Sequence, residues 1–100
     1  MLATLLHHEK YRYDDGSILE MKVWQVPNRV TGSQHGFKYS LFYGRNGVRL
    51  IGYDNESGKG DHRHLNGRET PYTFVSIRQL MADFLADVAA MRPGEMKGSS

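Results

Sequence analysis

Apolar and polar positions alternate with period two along two stretches of the chain. Over Ile18 to Val26, Leu19, Met21 and Val23 point one way and Glu20, Lys22 and Trp24 the other. Over Phe37 to Tyr43, the residues Phe37, Tyr39, Leu41 and Tyr43 oppose Lys38, Ser40 and Phe42. Such alternation predicts half-buried β-strands. Asp14-Asp15-Gly16-Ser17 joins a first strand, about Leu2 to Tyr13, to the first of these, and Pro27 ends it. The polar stretch PNRVTGSQHG then reads as a long loop. Gly44-Arg45-Asn46-Gly47 is the strongest turn, because Asn-Gly tolerates the positive φ of a tight hairpin, and Val48 to Tyr53 returns antiparallel. Either hairpin register is expected to put Lys38, Arg49 and Tyr53 opposite Leu41 and Leu50.

The period changes near the C-terminus. After a short last strand over Pro71 to Val75, Ser76 fits a helix cap with Gln79 reaching back, and Val75 is placed to staple against Leu80. Ile77, Leu80, Met81, Phe84, Leu85 and Val88 recur at helical steps, a stripe that must lie on a sheet. Arg92 suits the helix C-terminus, and Pro93-Gly94 stops it. The expected fold is α+β: a four to five stranded antiparallel meander with one C-terminal helix packed on one face. The expected domain is a single one over residues 1–92, with residues 93–100 a disordered tail.

Composition narrows the chemistry. One hundred residues with 39% hydrophobic content supply one modest core. The absence of cysteine excludes disulfides and thiolate metal sites and suits a reducing, cytoplasmic setting. No segment resembles a signal peptide or a membrane span. Net charge is only +2, but no Asp or Glu stands between Met21 and Leu50, where Lys22, Arg29, Lys38, Arg45 and Arg49 accumulate. That basic middle is either a solvated strand face or a surface for a polyanion.

Candidate chemistry concentrates in YDNESGKGDHRHLNGRETPYTF, residues 53–74. In an extended Asp61–Leu65 segment, His62 and His64 share a face, their Cα atoms roughly 6.5 Å apart, and Arg63 points away. Two such imidazoles could serve as base and acid on one phosphodiester, with Lys59 and Arg68 opposing the charge that develops on the phosphorane. The candidate catalytic residues are therefore His62, His64, Asp61 and Lys59. Arg63, Arg68, Arg49, Lys38, Tyr53 and Tyr72 are the candidates for substrate binding. This is metal-free ribonuclease chemistry, with no cofactor. Two other readings use the same atoms. His62 and His64 with Asp61 or Asp54 could hold a metal, or Asp54, Asp61 and Glu69 could neutralise Lys59, Arg63 and Arg68 in a purely structural loop.

Tyr53-Asp54-Asn55, Gly60-Asp61-His62-Arg63-His64 and Pro71-Tyr72, with the flanking YDDGSILEMKVWQV hairpin and LMADFLADV helix, resemble the TumE-like family of prokaryotic toxins. The resemblance runs from about Leu6 to Val88. It implies a toxin restrained by a helix-turn-helix antitoxin, and an endoribonuclease acting on mRNA or ribosome-associated RNA by analogy to RelE and HigB toxins. Those carry two helices before their sheet where this chain starts with strands, so only Asp61, His62, Arg63 and His64 carry over, as the family's own motif. A non-catalytic module binding nucleic acid or protein is the alternative, and a homodimer stays open.

Overall fold

A computed structural model describes residues 3–56 and 58–92. Six strands, β1 (Thr4–Arg12), β2 (Ile18–Gln25), β3 (Phe37–Arg45), β4 (Val48–Glu56), β5 (Gly60–Leu65) and β6 (Arg68–Pro71), precede one helix, α1 (Ile77–Met91). They form one sheet in sequence order, every neighbour antiparallel. The α+β class and the meander are as expected, but the sheet has six strands rather than four to five. The difference lies in the His-containing segment. It is an added hairpin, β5 and β6, instead of a loop, and residues 72–76 are irregular where a strand was expected. The expected tail lies outside the described residues.

Both Asn-Gly dipeptides make the tight turns their chemistry favours. Asn46 and Gly47 have φ of 54° and 77°, and Asn66 and Gly67, between β5 and β6, have 50° and 83°. Two successive positive φ values match the twist of a two-residue hairpin.

The inner face carries the core. Leu19, Met21 and Val23 of β2, Tyr39, Leu41 and Tyr43 of β3, and Ile51 and Tyr53 of β4 are buried with Leu80, Phe84 and Val88 of α1. The last three are spaced by four, so they form one stripe against the sheet. Burying a side chain such as Phe84 contributes about 1.5–3 kcal/mol. Ser76 caps α1 by accepting from the Gln79 N–H at 3.0 Å. The reciprocal half of the expected box is absent, because the Gln79 side chain donates to Asp83 instead. Val75 is 71% exposed and makes no staple.

At the other end of the helix Arg92 turns inward. Its guanidinium lies 3.7 Å from the centre of the Tyr13 ring and donates to Asp15, Ser17 and the Tyr43 hydroxyl, fastening the helix end to the β1–β2 turn. Asp15 is held well below the ordinary carboxylate range, first by hydrogen bonds from Ser17 and then by Arg92. No helix among the described residues is long and apolar enough to cross a membrane.

Candidate functional site

Strand pairing decides which of the candidate side chains can meet. In β5, Asp61, Arg63 and Leu65 lie opposite Asn55, Tyr53 and Ile51, so they belong to the inner face. His62 and His64 lie opposite Asp54 and Gly52 and belong to the outer face. The sharing of one face by the two histidines, with Arg63 turned away, is therefore as expected. Asp61 is on the other side of the sheet from them.

A register shift between Tyr43 and Gly44 moves Arg49 to the outer face, opposite Gly44. Tyr53 pairs with Leu41 on the inner face and is 2% exposed, which corrects its expected place beside Lys38 and Arg49. Burial and a 2.6 Å hydrogen bond to Asp87 raise its phenol well above the ordinary value.

The outer cluster is a chain of charged and polar contacts across β4 and β5. Arg49 Nη2 donates to His64 Nδ1 at 3.1 Å, while its Nη1 is 3.6 Å from Asp54 Oδ2. His62 Nε2 stands 2.5 Å from Asp54 Oδ1 and 3.9 Å from Glu69 Oε2. Asp54 Oδ1 makes no hydrogen bond, so this close approach is a contact without hydrogen-bond geometry. His62 Nδ1 donates to the Gly60 carbonyl at 3.2 Å. The partners fix the roles of the ring nitrogens. A guanidinium can only donate, so His64 Nδ1 carries a lone pair. His62 Nδ1 carries the proton that it gives to the Gly60 carbonyl, and Nε2 faces the Asp54 carboxylate.

Gly52 is the floor of this cluster. A Cβ there would stand 2.8 Å from Arg49 Cδ and 3.2 Å from its Nε, so only glycine lets the arginine lie flat between His64 and Asp54. Phe42 lies in the same way over Gly44, where a Cβ would approach its ring to 2.5 Å.

The inner-face residues make two separate assemblies. Asp61 accepts hydrogen bonds from Ser33 Oγ, His35 Nε2 and the Tyr39 hydroxyl, and His35 Nδ1 accepts from the Phe37 N–H. His35 also stacks on Phe74, ring centres 3.8 Å apart. With both nitrogens occupied, His35 anchors the loop between β2 and β3. Burial and the bond to Asp61 raise the Tyr39 phenol. Further along, Arg63 grips Asp87 of α1 through two hydrogen bonds of 2.9 and 2.8 Å, which raises its already high pKa, and Tyr72 donates to Asp83.

Lys59 lines a cleft of about 330 Å³ with His35, Asp61 and Phe74, and Arg68 lies opposite Leu65. Neither joins the histidine pair, and the cation that does is Arg49. Among the candidates, His62, His64, Arg49 and Lys38 thus share the outer face, whereas Asp61, Arg63, Arg68, Tyr53 and Tyr72 serve the inner one. Sequence reasoning left out Gly52, and gave Asp54 only a metal or structural part. Reading Asn66-Gly67 as a hairpin turn would have exposed the strand pairing behind both. Among the described residues no group of three His, Asp or Glu side chains is arranged to hold a metal ion.

A family model described as toxin TumE matches residues 3–92. No curated protein and no solved structure matches the chain.

Proposed function

The chain belongs to the TumE toxin family, and from that premise we propose that it is a metal-independent endoribonuclease whose acid and base are His62 and His64. As a toxin it implies a cognate antitoxin, which we take to be a helix-turn-helix protein, and an RNA target places its action in the cytoplasm. The observation that carries the reading is the contrast between the two rings. His62 faces oxygen atoms at both nitrogens, and His64 Nδ1 faces the guanidinium of Arg49. A ring nitrogen that faces a carboxylate is placed to give up a proton, and one that accepts from a guanidinium presents a lone pair to take one.

In this mechanism a phosphate of the RNA draws the Arg49 guanidinium onto its own oxygens, and Lys38 on the same face holds the backbone. His64 Nδ1, released from Arg49, takes the proton of the 2′-hydroxyl, whose oxygen attacks the adjacent phosphorus. His62 Nε2, released from Asp54 Oδ1 and with Glu69 at the rim moved aside, gives its proton to the departing 5′-oxygen. The products are a 2′,3′-cyclic phosphate and a 5′-hydroxyl. Arg49 opposes the charge of the phosphorane, and Asp54 positions Arg49 and His62 before the substrate engages them.

Purified protein incubated with RNA and a chelator should yield fragments with cyclic phosphate ends. A 2′-deoxy substitution at the cleaved position should abolish the cut, and cleavage that tolerates it would remove the mechanism. The burial of His62 at 7% exposure against Asp54 favours a second reading, a self-neutralised binding face without catalysis. In that case RNA affinity survives replacement of either histidine and no fragments form.

A further inference from the structure

Strand register lays the outer face out in rows. One row runs His8, Lys22, Ser40, Asp54, His62, and the next Lys10, Glu20, Phe42, Gly52, His64. Trp24 stands directly opposite Lys38 in a third row. The helix packs on the inner face, and Lys22, Trp24, Lys38, Phe42 and Arg49 all keep contact with solvent. The carboxylates of these rows are already engaged. Glu20 bonds His8 at 2.9 Å, which lowers its pKa, and stands 3.8 Å from Lys22; Asp54 contacts Arg49 and His62, and Glu69, opposite His64, stands 3.9 Å from His62. One side of the sheet thus offers a ligand two aromatic side chains and Lys38, with Lys22 and Arg49 able to exchange a carboxylate partner for a phosphate.

We infer that the ligand of this face is single-stranded RNA, laid across the β-strands from the His62–His64 pair toward Trp24. Trp24 and Phe42 are stacking surfaces for unpaired bases, and Lys22, Lys38 and Arg49 contact phosphates. The inference rests on the ribonuclease reading and adds to it the form of the substrate and its path. β2 and β5 are three strand spacings apart, about 14 Å, so Trp24 reaches bases beyond the cut phosphodiester rather than the reacting nucleotide. A duplex cannot use such a surface. Its bases are stacked on one another, and the narrow major groove of A-form RNA admits no side chains. Aromatic side chains alternating with cations are the means by which sheets bind unpaired strands.

Trp24 is the only tryptophan, so its fluorescence reports on this surface alone. The probe is a 2′-O-methyl oligouridine of about twelve nucleotides, within the site sizes of single-strand-binding sheets; it lacks the attacking hydroxyl and is not cut. Titrated into the wild-type protein, it should quench Trp24 saturably, and the same strand annealed to its complement should bind at least about tenfold more weakly. By anisotropy of a labelled probe, the double variant Trp24→Ala with Phe42→Ala should lose about tenfold or more in affinity at a temperature where its melting curve shows it folded. Lys22→Ala with Lys38→Ala should reduce the salt slope by about 1.4.

Equal binding of the duplex, no binding of either form, or binding without a change in Trp24 emission overturns the inference. The two proposals fail separately. Quenching by the methylated strand with no cleavage of ordinary RNA keeps the platform and removes the nuclease. Cleavage with unchanged KM in the double aromatic variant does the reverse.

Discussion

Arg49 Nη2 donates to His64 Nδ1 at 3.1 Å across the β4–β5 pair. That bond depends on the register shift between Tyr43 and Gly44, because without it Arg49 would face the core. Arg49→Lys keeps the charge but cannot reach His64 and Asp54 together, since an ammonium has no planar fork. We expect RNA cleavage to fall by about 10²-fold, with thermal stability within about 0.5 kcal/mol of wild type. Rates and melting curves on the purified variant check this.

Gly52→Ala tests the same placement without touching a charge. The added methyl collides with Arg49 Cδ, the far part of a flexible side chain, so the arginine moves and the fold does not. Cleavage should drop about tenfold or more while urea unfolding changes little. A fully active variant would show that the position of Arg49 is immaterial.

Asp61 belongs to the family-like motif yet faces away from the histidines, and its three donors tie the β2–β3 loop to β5. Asp61→Ala should cost about 1–3 kcal/mol by leaving those donors unpaired. Hydrogen exchange should quicken over residues 30–36. Activity should track the folded fraction, whereas an unfolded-corrected loss comparable to that of the histidine variants would make Asp61 catalytic.

The different fates of Asp61 and His62 show what the residues alone could convey. Alternation over β2 and β3 and the Asn46-Gly47 turn made those strands and their inner faces legible, as the helical spacing of Leu80, Phe84 and Val88 did for α1. β5 was hidden because, in GDHRHL, only Leu65 is apolar, and pairing on both sides holds it rather than core burial. The histidine pair followed from period two within any extended segment. The bulge that turns Arg49 outward, the pairing of His35 with Asp61 over 26 residues, and the inward place of Tyr53 depend on tertiary register, which no local pattern encodes.

Burial, helped by hydrogen bonds to Asp61, Asp87 and Asp83, raises the phenols of Tyr39, Tyr53 and Tyr72. In the unfolded chain they ionise near the ordinary value of about 10. Their contribution to stability is thus fully present below that pH and is lost as pH rises toward the higher folded-state values. The urea midpoint should be flat from neutral pH to about 9 and fall beyond about 10. Tyr53→Phe should make the alkaline fall shallower.

The most direct measurement of the acid and base roles is the pH dependence of RNA cleavage by the wild type, His62→Ala and His64→Ala. The wild type should give a bell. His64→Ala should lose the acid limb, His62→Ala the alkaline limb, and each about 10²–10⁴-fold in rate. A histidine variant that cuts RNA at the wild-type rate with the bell intact would contradict the account.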